Sequence, residues 1–507
     1  MGARAGTTPH PSNAVPVTYR ISRCVYLRLL AVCLGCGFWS LWQQAAGLIG
    51  PQGITPLSDL MSGLARAYGS GAFWHSPSLF WLSSEAWFVQ AVAGLGAVAS
   101  VLLFFGIAPR ACCILGFVAW LSFRSIDDGP VFWFNFPYDD LQTEAVFLGI
   151  FVAPAGLWPW RPKADLPRWV HWLLVWFLFR VMFGPGITKV MFHGPWRDLS
   201  AVGDFLLTMP HPTAAAAWFA ELPRWLLQGM TAFTLACEVL CPFLFFVPGR
   251  ARRLAAVAGI GLMVGIQVVC SIRGFQPLTT GLLLLLWDDA ALRRLVPVRW
   301  RRERAAPPSD RASPGASEPG HGWRRVLAGV VVVLCVAASI GPFLSQFGVP
   351  VRPAALARVD AALRPFRIAS CYTMFCIVPA ERYGLVVQGS DDGENWRDYE
   401  PLGIPSREDR APVLFAPYHD YLGFKLWFAG FCPPSQDGWL RVLQQRLLAG
   451  EPAVTRLFAK APFAGAPKWV RIAWFRFRFA PPEQRAMGQF WVREGLGIRV
   501  PAASRRG

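Results

Sequence analysis

Charge is scarce in this chain. Only 16% of its 507 residues are Asp, Glu, Lys or Arg, acidic residues number 31, and histidine and tyrosine number just 7 and 9. That poverty excludes a disordered chain and a coiled coil, and with the apolar content below it excludes an ordinary soluble enzyme. No P-loop, dinucleotide-binding glycine fingerprint, zinc-ligand spacing or nucleophile elbow occurs, and no internal repeat stands out. Asp391-Asp392-Gly393 lacks the further ligands of a calcium loop and reads as a turn. Cys33-Leu34-Gly35-Cys36 has thioredoxin-type spacing, but it falls inside an apolar run with no βαβ context. No cofactor or metal is expected.

A disulfide framework is missing too. Nine of the 12 cysteines lie in or beside apolar stretches, where cysteine behaves as a small hydrophobe. Only Cys371, Cys376 and Cys432 fall in the polar C-terminal part. Three cannot all pair, so at most one bridge forms there, and only in an oxidising compartment.

What the chain has instead is apolar mass. Hydrophobic residues make up 54%, with 24 Trp and 38 Phe. Spans of about 20 apolar residues cross a bilayer. Nine candidates follow: Val25 to Ala46, Ala86 to Ile107, Ala111 to Phe123, Leu141 to Leu157, Trp169 to Met191, Leu226 to Val247, Leu254 to Ile272, Leu278 to Leu292 and Val326 to Ser345. The third and eighth are short. The first carries Trp39 and Trp42 and lacks a small-residue cleavage site, so it reads as a retained span.

The net charge of +18 then concerns orientation, not nucleic acid. Nineteen Lys and Arg occupy the N-terminus and alternate loops, against five (Arg66, Arg124, Arg197, Arg224 and Arg273) in the others. The positive-inside rule places the N-terminus in the cytoplasm, and nine spans put everything after Ser345 on the opposite side. The expected organisation is a cytoplasmic segment 1–24, an eight-span helical domain 25–300, a disordered Pro/Ala/Ser linker 301–325, a ninth transmembrane helix 326–345 and an extracytoplasmic domain 349–507.

That last domain mixes patterns. Leu385 to Gln388 reads as a strand leading into an Asp-Gly turn, and Trp474 to Phe479 alternates aromatic with basic residues. Tyr421 to Phe431, Gly438 to Leu448 and Pro452 to Leu457 read as helices. The domain is expected to be α+β or β-sandwich-like. Its aromatics, Trp396, Trp427, Phe428 and Trp439 among them, either hold a partner protein or form its core.

Ionisable residues inside spans are functional candidates by default. Arg180, Lys189 and Glu238 lie within spans, and Asp139 and Glu144 lie near the non-cytoplasmic end of the fourth. Pro185, flanked by Gly184 and Gly186, predicts a break in the fifth span. Lys189, just beyond it, is placed at the same depth as Glu144 and Asp139, and an ion pair with either one is allowed. Such a lysine is a candidate base; it is also a candidate structural tie between helices.

Scattered residues, in order, carry a resemblance. Arg23 with Gly47-Leu48-Ile49-Gly50, Asp139 and Glu144, Phe179-Arg180 with Gly186, Lys189 and Trp196-Arg197-Asp198-Leu199, then Glu238, Pro242 and Pro248 resemble the membrane part of the lipase maturation factor family. Glu381-Arg382, Gly389 to Gly393, Trp396, Trp427-Phe428-Ala429 and Trp439 are similar to its C-terminal pattern. Where that family usually shows a Thr-Gly-Asn-Tyr-like run, this chain reads Cys270-Ser271-Ile272-Arg273. The resemblance implies a polytopic, chaperone-like membrane protein that brings secreted clients, lipases in the animal members, to an active form. It implies an endoplasmic reticulum membrane in a eukaryote and the inner membrane in a bacterium, with lipid and client proteins as partners and no nucleic acid. The fifth-span motif also resembles the vitamin K-dependent carboxylase superfamily. By that match, the alternative is an enzyme with Lys189 as base on a quinone-like or lipid substrate.

Overall fold

The computed structural model describes residues 17–127, 133–157, 165–192, 194–295, 322–349 and 353–505. Most of segment 1–24 and of the linker 301–325 lies outside the described residues. Nine main helices form the bundle: α1 (Arg20–Ile49), α2 (Ala86–Phe105), α3 (Pro109–Ser125), α4 (Pro137–Val152), α5 (Arg168–Phe192), α6 (Arg224–Leu244), α7 (Arg250–Val269), α8 (Phe275–Leu284) and α9 (Gly322–Ser345). Six of them, α1, α2, α5, α6, α7 and α9, are long and apolar enough to cross a membrane. The remaining three have 17, 16 and 10 residues.

Side-chain pairings fix the helix directions. Phe38 and Trp42 of α1 lie over Gly96 and Gly94 of α2, in reversed order along the two chains. Arg23 at the start of α1 donates to the Val152 carbonyl at the end of α4, while Arg110 at the start of α3 donates to Ala153. Trp172 and Phe179 of α5 meet Phe246, just past α6, and Phe243 within it, in reversed order. Cys270, just after α7, bridges Pro212 in the loop that follows α5. Glu144 and Phe151 of α4 meet Arg180 and Trp169 of α5 in reversed order. Tyr26 and Cys33 of α1 lie against Gly281 and Gly274 at α8 in reversed order. Trp176 and Phe183 of α5 meet Ser339 of α9 and Phe347 just past it in the same order. The described helices therefore alternate in direction, α1 and α9 running the same way.

The predicted break in α5 does not occur. The helix runs unbroken through Pro185, and the Thr188 hydroxyl donates back to the Gly184 and Pro185 carbonyls. The irregularity lies in the neighbour instead, where α6 passes through one π turn, Ala236–Leu240. Gly186 explains the pairing: a Cβ there would come within 2.7 Å of Glu238. Its bare backbone lets the widened turn of α6 press against α5.

The C-terminal domain is α+β. Strands β1 (Arg382–Ser390), β2 (Arg397–Asp398), β3 (Trp469–Phe479) and β4 (Trp491–Ser504) form one antiparallel sheet in the order β2-β1-β3-β4. β1 pairs with β3 from Arg382↔Phe477 to Ser390↔Trp469, and the pairs Gln388↔Asp398 and Gly389↔Arg397 close the expected hairpin with β2. Among the described residues there is a single sheet, so the sandwich-like form is not realised. Helices α10 (Ala354–Leu363), α11 (Tyr421–Ala429), α12 (Gly438–Leu448) and α13 (Pro452–Thr455) complete the domain. Alternation assigns the two sheet faces. Leu385, Val387, Val470 and Ile472 join the main core with α11 and α12, whereas Val386, Phe477 and Trp491 make a small second core behind the sheet. All 12 cysteines carry free thiols.

This domain does not hang from α9 as a separate body. It packs onto one end of the bundle. Gln44 near the end of α1 donates to the Tyr418 hydroxyl at 3.1 Å and accepts from the Tyr421 amide at 3.1 Å. Gly47 of α1 touches α13 so closely that a Cβ would lie 2.4 Å from the Ala453 carbonyl.

Candidate functional site

The ionisable residues picked out along the spans gather in the seam between this end of the bundle and the C-terminal domain. All are buried, and each has a partner. Lys189 donates to Glu238, and its ammonium lies 4.9 Å from the centre of the Trp196 ring. Trp196 in turn donates its indole N–H to the Phe375 carbonyl at 3.0 Å. The expected pairing of Lys189 with Glu144 or Asp139 is therefore replaced by Glu238. The reason is rotational. Lys189 follows Arg180 by nine residues, about two and a half turns, so the two cations leave α5 on opposite sides. Arg180 faces α4, and Lys189 faces α6.

Arg180 takes Glu144. Its two terminal nitrogens fork onto the two carboxylate oxygens, the better geometry for a buried pair. Glu144 also accepts from the Tyr372 hydroxyl at 2.7 Å and the Ser370 amide at 3.2 Å, while Arg180 donates to the Ser370 carbonyl at 3.1 Å. A pair inside the bundle is thereby bonded to the segment leading into the C-terminal domain.

Asp139 takes Arg273, at 2.9 and 3.2 Å. The guanidinium carbon lies 3.8 Å from the Tyr138 ring centre and 4.4 Å from that of Tyr421, with Phe136 and Phe424 each at 5.7 Å. Two of these rings belong to the bundle and two to α11. The cation is thus shared by both halves, and two of its nitrogens meet ring faces instead of oxygen acceptors.

Beside it, His211 from the loop after α5 approaches Asp420 to 3.9 Å, and His419 donates or accepts through Nδ1 with the Tyr421 hydroxyl at 3.2 Å. Asp420 accepts from the Gly403 and Gly423 amides at 2.9 and 3.0 Å. Burial pushes the His211 imidazole down to about 3 and holds His419 well below the ordinary histidine range. Burial thus favours the neutral form of both imidazoles and raises the Asp420 carboxyl.

The four aromatic candidates divide. Trp439 is buried and meets Trp133 edge-on at 5.5 Å, so it is core, not a partner surface. Trp427 is half-buried, donates to the Thr208 carbonyl at 2.9 Å and stacks among Phe424, Phe428 and Phe431. Phe428 is half-buried, 6.1 Å from Phe136 of the bundle. These residues bind the domain to its own bundle. Only Trp396 reaches an open feature. Arg471 covers one side of its ring at 4.0 Å, and it lines a cleft of about 730 Å³ with Glu400, Arg407, Asp409, Lys460 and Arg493.

Arg273, Tyr372, His211 and Asp420 were not singled out from the sequence. Arg273 left one signal: it is one of only five basic residues counted on the charge-poor side, and it stands where the family run is replaced. A second member of that five, Arg124, is likewise buried in a pair, with Asp140 at 2.8 Å.

Residues 21–294 match the lipase maturation factor transmembrane domain, and residues 368–501 match the lipase maturation factor C-terminal domain. The chain is 29% identical to lipase maturation factor 1 of Bos taurus, over 98% of this chain and 91% of that protein. To human lipase maturation factor 1 it is 28% identical over 98% and 90%, and to human lipase maturation factor 2 it is 27% identical over 96% and 83%. No solved structure matches.

Proposed function

Because the chain belongs to the lipase maturation factor family and is an integral membrane protein, we propose that it is a membrane-embedded maturation factor for secreted clients of lipase type. It assists their folding or assembly on the non-cytoplasmic side of the membrane. The observation that carries this reading is that the match covers both the bundle and the C-terminal domain, the two parts joined by the buried seam. A domain held rigidly over the bundle offers incompletely assembled chains a fixed surface beside the bilayer, where exposed apolar segments otherwise aggregate.

The topology goes with it. Nine crossings are proposed, with an N-terminal segment 1–24 in the cytoplasm, eight spans within 25–300, a cytoplasmic linker 301–325, a ninth span 326–345 and an extracytoplasmic domain 349–507. The alternation of helix direction supports an odd number: α1 and α9 run parallel, so the chain enters and leaves the bundle at opposite faces. In a bacterium the membrane is the inner membrane; in a eukaryote it is the endoplasmic reticulum. The alternative, an enzyme using Lys189 as base, has less support, since Lys189 is engaged with Glu238 beneath Trp196.

Crosslinking in intact membranes, followed by identification of the bound proteins, tests the reading. Exported proteins of lipase type should be captured, and deleting the gene should lower the active fraction of secreted lipase at unchanged transcript. Capture of cytosolic proteins alone, with lipase activity intact, would refute it.

A further inference from the structure

Most buried charges in this protein have an opposite charge at hand. Arg382, at the start of β1, does not. Its side chain is 2% exposed, and its terminal nitrogens donate only to the Met209 and Pro210 carbonyls in the loop between α5 and α6. Among the described residues, no carboxylate lies within ion-pair reach of it. Carbonyls satisfy its hydrogen bonds and the Trp491 ring faces it at 5.3 Å, but no anion balances its charge, and burying a charge without a counter-ion is costly. Burial also lowers its pKa to about 9.

Arg382 lines a groove of about 400 Å³ between that loop and the end of β3. A second cation lines the same groove. Arg485 donates to Ala480 and to Glu221, but its Nε–H is buried without any partner. Counting the lining residues, Arg382, Arg476, Arg478 and Arg485 stand against Glu221 and Glu381. The remaining wall is apolar: Leu207, Ala220, Phe477 and Phe479. The volume is within the range of small-molecule sites. An apolar trough with more arginines than carboxylates, one guanidinium without a counter-ion and one orphaned N–H suits an anion on a hydrocarbon chain.

We propose that this groove binds a single-chain anionic amphiphile of fatty-acid type. Its chain lies along Leu207, Phe477 and Phe479, and its carboxylate accepts from Arg485 Nε and balances Arg382. The ligand bridges the bundle's loop and the C-terminal domain. This site is separate from the client reading and does not depend on it.

The test uses the full chain in lipid nanodiscs with a photoactivatable long-chain fatty acid. Adducts are mapped by peptide mass spectrometry. Labelling should appear on peptides carrying Leu207, Ala220 or Phe477. Unlabelled fatty acid should displace it; the methyl ester and the long-chain amine should not. Arg485→Gln should weaken displacement by roughly 30-fold, the scale for losing one partner of a buried charged hydrogen bond. Ala220→Trp fills the groove while keeping both arginines in the chain and should abolish groove labelling while leaving bilayer-facing adducts unchanged, an internal measure of folding. The proposal is overturned if groove peptides are unlabelled in the wild type, if the ester competes as well as the acid, or if Ala220→Trp labels normally.

Discussion

Replacing Arg273 with Met is the sharpest perturbation of the seam. The change keeps an apolar body of similar length but leaves the Asp139 carboxylate buried without its cation. Removing one partner from a buried pair costs about 3–5 kcal/mol. The four rings at 3.8, 4.4, 5.7 and 5.7 Å also lose their cation, and a desolvated contact of this kind contributes about 2 kcal/mol. Since Tyr421 and Phe424 belong to the C-terminal domain, the loss falls on docking first. For a unit of this size, a loss of 3–5 kcal/mol lowers a thermal midpoint by roughly 6–20 °C. The assay is protease release of the C-terminal domain from nanodisc-held protein as temperature rises. Arg273→Met with Asp139→Asn should recover part of the loss, because the double variant buries no lone charge. A midpoint shift under about 2 °C, or a double variant no better than Arg273→Met alone, would refute the reasoning.

Three further outcomes follow from the same geometry. Lys189→Met should lower protein abundance, and Lys189→Met with Glu238→Leu should restore much of it; abundance is read by immunoblot, and a normal level of inactive Lys189→Met would favour a chemical role for the amine. Acid should loosen the seam: His211 and His419 have folded pKa values depressed below the ordinary 6.5. Their contribution is complete above about pH 6.5 and is lost as pH falls towards the folded values, at up to about 1.4 kcal/mol per pH unit for each; His211→Gln should flatten the midpoint-versus-pH curve between pH 6.5 and 5, and an unchanged slope would contradict this. Gly47→Val should destabilise by about 1–3 kcal/mol through overpacking, because its Cβ meets a backbone carbonyl at 2.4 Å that cannot rotate away; unchanged domain release would count against the close α1–α13 contact.

The sequence exposed the apolar helices better than the level or the facing of the charged residues within them. Apolar run lengths placed α1, α2, α5, α6, α7 and α9 within a few residues, and Gly438 to Leu448 coincides with α12. The same reading put Lys189, Glu144 and Asp139 in one layer, but Glu144 pairs with Arg180, nine residues before Lys189 on α5, which sets the two levels about 13 Å apart along the helix. It could not say which way each faces, and the pairing follows facing: Lys189 turns to α6, Arg180 to α4, and Asp139 to an arginine 134 residues away. The break expected at Pro185 does not form, because a proline deletes only one hydrogen bond, the one to the Val181 carbonyl, and the helix stays packed against the π turn of α6. Strand β4 was silent for a different reason. It is an edge strand with three register shifts against β3 and both faces largely exposed, so Trp491–Ser504 carries little alternation to read. Trp439 and Trp427 left both readings open, core or partner surface, since an aromatic that meets a partner and one that meets its own bundle look alike in sequence.

The central claim is that the C-terminal domain rests on the non-cytoplasmic end of the bundle. Glu394 lies exposed in the hairpin turn after β1, so Glu394→Cys places a thiol at that surface. A membrane-impermeant maleimide should label it in sealed vesicles that expose the non-cytoplasmic face, and inverted vesicles should stay unlabelled until they are opened with detergent. Labelling confined to the inverted vesicles would contradict the account.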